Sequence, residues 1–263
     1  MKTLISALVL LFLLAPKSLL SDELRDIQSQ GVVRIGICQF APWSFINTNG
    51  DLEGFEVDVA KQIALDMGVQ PMFVSYSLED IFAALEAGDI DFAAAGLAIT
   101  PERALLVDFS SPYTFSGISY LVNKTVTPKV KSVEDLNEEG RIIVSVSDTF
   151  SSRYADALFD LATVRMMPDD QSAEEELLIG KAHGYLTSLP EAQLLLRKHP
   201  KVLDMPNEDP LVGSVSGFAV RRGNQSLLNY LNAWVASRNA DRWLHRTYAY
   251  WFSNFDWLDR VEK

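Results

Sequence analysis

Apolar residues along this chain follow two alternating rhythms: short unbroken runs closed by a glycine, and longer stretches in which they return every third or fourth position. The first rhythm suits a strand buried on both faces, the second a helix with one buried face. A short helix over residues 24–30 leads to a strand over 32–37, VVRIGI. Asn49-Gly50 favours positive φ and a hairpin turn over 47–51. Over 57–67, Val57, Ala60, Ile63, Ala64 and Met67 share one helical face, and Gly68 stops the helix. A strand over 71–76 and a helix over 78–85, with Ile81, Phe82 and Leu85 inward and Gly88 as terminator, bring the chain to a buried strand over 90–95 that closes on Gly96. This is a parallel β-α-β series, whose crossovers are right-handed, and a further strand over 118–122 completes a first lobe.

After a polar stretch over 123–131 the series restarts. Strands over 141–146, 164–167 and 182–187 alternate with helices over 152–161, 173–178 and 190–197, which predicts a second α/β lobe. A last strand over 217–221 and helices over 225–238 and 241–251 close the chain, and the aromatic tail YAYWFSNFDWLDR is expected to pack its rings on the first lobe. Ligands of parallel sheets gather at the carboxyl ends of the strands, and Arg103 lies just past such an end. A guanidinium there can hold a carboxylate with two parallel hydrogen bonds, and backbone N–H groups after Gly96 add donors.

Composition narrows the function. The 263 residues carry a net charge of −12, and Lys and Arg gather only in pairs such as Arg197-Lys198 and Arg221-Arg222. An acidic chain without a basic patch does not suit nucleic acid. Lys2 precedes an apolar run over 4–15, too short to cross a membrane as a helix but suited to the core of a signal peptide. Residues 1–21 are therefore read as a signal peptide, with small residues near Ala15, Ser18 or Ser21 for cleavage, and the exported protein as soluble. Cys38, the one cysteine, has no disulfide partner and reads as strand packing. His183, His199 and His245 have no metal-ligand spacing, so neither a metal nor a cofactor is expected.

Four segments carry a resemblance: G-F-E-V-D-V-A at 54–60, G-x-x-I-T-x-x-R at 96–103, V-D-F-S-S-P-Y at 107–113 and G-F-A-V-R-R-G-N at 217–224. They resemble the periplasmic solute-binding proteins of family 3, the group that includes the polar amino-acid receptors of ABC importers. The resemblance implies a type II periplasmic binding fold, two α/β lobes joined by a two-segment hinge, with residues 22–122 plus 217–263 in the first lobe and 123–216 in the second. It also implies a monomer in the periplasm that closes on a small carboxylate or amino-acid ligand and docks on a membrane permease.

Residue by residue, Arg103 matches the family's carboxylate-binding arginine. Gly96, Leu97 and Ala98 fall in the strand-end loop that touches ligand, with Ala98 where a Ser or Thr is usual. Phe40 matches an aromatic over the ligand's carbon skeleton, Leu78 stands where many members have another ring, and Trp43 props the loop. In the second lobe, Asp148-Thr149-Phe150 replaces the usual G-T-T, so Thr149 keeps one hydroxyl at a helix N-terminus while Phe150 loses the other. Ser188 stands where amino-acid receptors place the aspartate that takes the ligand's ammonium. An ammonium desolvated without an anion is costly. Either the anion has moved, to Asp148 or Glu191, or the ligand has no α-ammonium. Each acid also has a plainer reading, Asp148 as a helix cap and Glu191 as an acid in a first helical turn.

Two other functions stay open on the same scaffold. Secreted cyclohexadienyl dehydratases resemble this family and use a glutamate near the place of Glu191 as proton donor, although Ile118 stands where those enzymes have a lysine. A ligand sensor or accessory factor would share every residue named above. The leading reading is a binding protein and not an enzyme.

Overall fold

The structure, a computed structural model, describes residues 23–261, so the signal-peptide reading lies outside the described residues. Among the described residues no helix is long and apolar enough to cross a membrane.

Two sheets organise the chain. In the first, Gln70–Ser75, Val32–Ile37 and Phe92–Ala93 lie side by side and parallel. Ala219–Val220 then joins antiparallel to Phe92–Ala93 and, on its other side, to Asp108–Phe109. Both faces of this sheet are covered at its centre, which is why its inner strands are mostly apolar. On one face Val33, Ile35, Phe92 and Val220 pack against Ala60, Ile63 and Ala64 of the helix Phe55–Met67 and against Leu227 and Leu231 of the helix Gln225–Ala240. On the other, Ala93 and Ala219 meet Ile81 and Leu85 of the helix Asp80–Ala87. The glycines expected to stop the two earlier helices do so, Gly68 and Gly88 each taking left-handed backbone and capping the last carbonyls.

In the second sheet, Thr163–Met167, Ile142–Val146 and Gly184–Ser188 are parallel, followed by Thr114–Asn123 running antiparallel. Thr114–Asn123 has two partners on its far side, Leu203–Asp204 near its end and Val212–Ser216 near its start. The helices Asp170–Leu178 and Leu189–Lys198 follow Thr163–Met167 and Gly184–Ser188 respectively.

Two antiparallel strands carry the chain between the sheets, Thr114–Asn123 outward and Val212–Ser216 back, paired from Thr114 with Ser216 to Ile118 with Val212. The loop after Phe92–Ala93 is tied to this ribbon: the Ile99 N–H donates to the Val215 carbonyl at 2.9 Å, and the Gly217 N–H to the Leu97 carbonyl at 3.2 Å.

Several elements differ from expectation for identifiable reasons. The strand expected over 118–122 to complete the first lobe runs Thr114–Asn123 and belongs to the second sheet. The strand expected over 90–95 keeps ladder pairing only at Phe92–Ala93, because the chain leaves the sheet toward the turn at Gly96. The helix expected over 152–161 is a 3-10 turn, Ser152–Tyr154, and one helical turn, Ala155–Leu158. Asn137 ends it by accepting the N–H groups of Leu161 and Ala162 at 2.9 and 3.0 Å. The last strand is Ala219–Val220 alone, and the strand Val212–Ser216, which pairs with Thr114–Asn123 in the ribbon, carries no apolar run that would have announced it.

The aromatic tail packs on the first half, as its composition suggested. Trp257 is fully buried and donates from Nε1 to the Trp251 carbonyl at 2.9 Å, Trp251 donates to Asp58, and Phe252 lies against Trp43 with ring centroids 4.8 Å apart.

Candidate ligand-binding cleft

Arg103 opens the 3-10 turn Arg103–Leu105, with its backbone N–H on the Thr100 hydroxyl at 3.3 Å. The side chain turns inward and is only 4 % exposed. Its Nη1 donates to the Ala98 carbonyl at 3.2 Å and its Nη2 to the Asp148 carbonyl, in the other half of the molecule, at 3.4 Å. Phe82 lies beneath the guanidinium, 5.6 Å from ring centroid to Cζ. Buried Nε has no partner, and among the described residues no carboxylate forms an ion pair with Arg103. Burial, and then the charge of Arg153, lower its pKa to about 10, so the guanidinium stays charged at neutral pH.

This guanidinium faces a cavity of about 380 Å³ walled by both halves of the molecule, within the size range of small-molecule sites. Every position singled out from the sequence lines it: Phe40, Leu78, Gly96, Leu97, Ala98 and Arg103 from the first half, and Asp148, Thr149, Phe150, Ser188 and Glu191 from the second. An ion pair bridges the halves beside it, Arg153 Nη1 to Glu102 at 3.1 Å.

The second-half residues behave differently from expectation. The Thr149 hydroxyl donates to the Val146 carbonyl at 2.8 Å and accepts the Ser152 N–H at 3.1 Å, so it is committed to its own turn. Thr149, and not Asp148, caps that turn. Asp148 instead takes left-handed backbone at φ 61°, which aims its carbonyl at Arg103. Ser188 caps the helix Leu189–Lys198 by accepting the Glu191 N–H at 3.4 Å.

Trp43 and Glu56 support the loop from below. The Trp43 ring packs under Gly96, where an added Cβ would come within 3.1 Å of it, so the glycine serves both the close approach and its φ of 59°. Glu56 Oε1 accepts the Gly96 N–H at 2.9 Å and the Tyr113 hydroxyl at 2.6 Å, while buried Oε2 has no partner. Burial pushes this carboxyl up to about 8 against those two donors. The folded protein thus holds a proton that the unfolded chain releases near pH 4.5, and that advantage is lost as pH rises from about 4.5 to about 8. Glu56→Gln keeps an acceptor oxygen and removes the titration. Its melting temperature is expected to fall less than the parent's between about pH 5 and pH 8; an identical fall in both proteins contradicts the assignment.

The sequence reading passed over Asp170 and Thr187, which also line the cavity. Asp170 is the first residue of its helix and follows closely on the carboxyl end of Thr163–Met167, a placement that could have drawn attention to it. Cys38 reaches the cavity wall as well, but burial pushes its thiol up to about 12, so it remains protonated and unreactive at neutral pH. Among the described residues no cluster of His, Cys, Asp or Glu suits a metal ion.

Comparison with known proteins adds four findings. The family described as bacterial extracellular solute-binding proteins, family 3, matches residues 33–254. The L-cystine-binding protein TcyJ of Escherichia coli is 29% identical over 235 residues, which cover 88% of this chain and 87% of the relative. Among solved structures, the ancestral amino acid-binding protein AncCDT-1, titled a precursor of cyclohexadienyl dehydratase, superposes with a TM-score of 0.80 at 33% identity over 88% of this chain and all of the other. A putative binding component of an ABC transporter from Wolinella succinogenes, complexed with lysine, reaches a TM-score of 0.83 at 29% identity with the same coverage.

Proposed function

This chain belongs to the bacterial extracellular solute-binding proteins, family 3, and we propose that it captures a small carboxylate-bearing solute, an amino acid or a close relative of one, for import by an ABC transporter. One observation carries this reading. Arg103 is a charged group held out of water with an unbonded Nε and, among the described residues, no carboxylate partner, in the wall of a cavity sized for a small molecule. A buried unpaired charge is unfavourable, and a ligand carboxylate supplies what is missing. A relative named for binding L-cystine and a solved neighbour complexed with lysine support the ligand class.

In this reading the protein works outside the cytoplasm as a monomer, the two lobes pivot on the ribbon Thr114–Asn123 and Val212–Ser216, and the closed form docks on a membrane permease. Arg103, Phe40, Leu78 and the Gly96–Leu97–Ala98 loop hold the ligand's carboxylate end, with residues 148–150, Ser188 and Glu191 across the cleft. A thermal-shift screen of amino acids, dicarboxylates, opines and aromatic acids tests it, since a ligand of the folded state raises its melting temperature. At least one carboxylate is expected to do so, and a screen in which none does contradicts the reading.

The chain is proposed to bind its ligand without chemical change. A dehydratase would use Glu191 as proton donor, but Ile118, where such enzymes have a lysine, is fully buried in the second core and offers the cavity no cation. Prephenate or arogenate incubated with the protein is expected to be recovered intact. Formation of an aromatic product would overturn the assignment.

A further inference from the structure

Ser188 gives the cleft no negative charge, yet two carboxyls stand beside it. Glu191 lies in the first turn of the helix Leu189–Lys198, and Asp170 opens the helix Asp170–Leu178. The strands that feed these helices flank Ile142–Val146 in one sheet and run parallel to it, so both helix starts emerge at the same end of the sheet, in the cavity wall. There the two carboxyls share one wall, and the charge on Asp170 disfavours ionisation of Glu191. Two carboxyls desolvated side by side favour one proton and one negative charge over two negative charges.

The surroundings keep that proton in place. The Tyr185 hydroxyl donates to Asp170 Oδ1 at 2.7 Å, and the Thr187 hydroxyl to Glu191 Oε2 at 3.3 Å. The other charged groups facing the pair are Asp169 and Glu174, both acidic, and Glu174 is itself engaged by His199 at 2.9 Å. Among the described residues no lysine or arginine forms an ion pair with Asp170 or Glu191. Desolvation accordingly raises the pKa of both acids, and the charge of Asp170 helps to push that of Glu191 well above the ordinary range. The pair is therefore an anionic site with one negative charge and one removable proton, and it shares its cavity with Arg103, a buried cation without an ion-pair partner among the described residues.

Resting on the reading of Arg103 as the carboxylate anchor, we propose that the Asp170–Glu191 pair is the cation subsite of this cleft, receiving the ammonium of an amino-acid ligand and giving up its shared proton to solvent as it does so. The balance is simple: a carboxylic acid and a carboxylate take in one ammonium, one O–H bond is broken, and two carboxylates then flank the cation while the proton enters the buffer. The anion absent at Ser188 is thus supplied from one helical turn further along the same helix together with its neighbour. Ser188 keeps a different task, capping the helix that holds Glu191 in place.

Isothermal titration calorimetry at pH 5.5, in two buffers of different ionisation heat, counts the protons released. The probes are the proteinogenic L-amino acids and L-cystine, each beside its 2-hydroxy analogue. The parent is expected to bind at least one amino acid with release of about one proton per ammonium, and to bind that acid's hydroxy analogue more weakly and without release. Glu191→Gln is expected to weaken the amino acid by roughly 10- to 100-fold and to abolish proton release, while leaving the hydroxy analogue nearly unchanged. Asp170→Asn should show the same pattern, and unliganded melting temperatures check that both variants fold. Hydroxy acids bound through Arg103 as tightly as amino acids, or a Glu191→Gln protein that still releases its proton, overturn this subsite and leave the carboxylate reading standing. Binding of no carboxylate at all overturns both.

Discussion

Arg103→Ala is expected to lose binding of every carboxylate ligand by about 100-fold or more, without loss of the fold. A guanidinium that meets a carboxylate in a closed cavity makes charge-assisted hydrogen bonds, and removing it leaves the ligand's charge buried and unpaired. Such truncations cost about 3–5 kcal/mol, and each 1.4 kcal/mol is about tenfold in affinity. The unliganded protein gives up little, since among the described residues the Arg103 side chain bonds two carbonyls, at 3.2 and 3.4 Å, and its Nε nothing. Relief of a buried unpaired charge offsets the lost contacts, so the melting temperature without ligand should stay within a few degrees of the parent's. Arg103→Lys should recover part of the affinity, because an ammonium keeps the charge and loses the two-pronged geometry. Calorimetric titration with any ligand identified by thermal shift decides the matter. An alanine variant that binds like the parent removes Arg103 from the site.

Gly54→Ala is expected to be the most damaging single-methyl change to the fold. Gly54 sits at φ 132°, backbone that residues with a Cβ rarely adopt, and an added Cβ would stand 2.2 Å from the Trp43 carbonyl oxygen and 2.6 Å from its carbon. Neither atom belongs to a flexible side chain. The Phe55 and Glu56 N–H groups that follow are bonded to the Pro42 and Trp43 carbonyls, so the strand cannot retreat without breaking the start of its helix. Strain and lost hydrogen bonds together place the cost at roughly 4 kcal/mol or more. The consequence reaches the cleft, because this helix carries Glu56 to the Gly96 turn and the displaced residue Trp43 underlies the same turn. Urea unfolding is expected to show either no folded protein or a midpoint far below the parent's, and a midpoint within experimental scatter of it contradicts the packing described.

What the sequence made legible was whatever depends on short-range patterning. Val32–Ile37 falls where its apolar run predicts it, and Gly68 and Gly88 end their helices because only left-handed backbone can close those turns. The cavity positions were legible through resemblance, since the segment around Arg103 is distinctive in a way that a lone loop arginine is not. The returning strand Val212–Ser216 was not legible, because V-G-S-V-S has neither an apolar run nor a strict alternation and its stability comes from a partner about a hundred residues away in the chain. Nor was the commitment of Thr149, whose hydroxyl could serve a ligand or its own turn equally well until the Ser152 N–H was seen to claim it. Asp170 was missed for a related reason. An acid at the start of a helix is favoured there anyway, so only its meeting with Glu191, brought about by the order of strands in the second sheet, sets it apart.

The crystal structure of the protein with a ligand from the thermal-shift screen tests the central claim most directly. The account predicts the ligand in the cavity between the two sheets, its carboxylate oxygens about 2.7–2.9 Å from the Arg103 guanidinium nitrogens. A ligand bound elsewhere, or one whose carboxylate faces solvent while Arg103 bonds only to protein carbonyls, would contradict it.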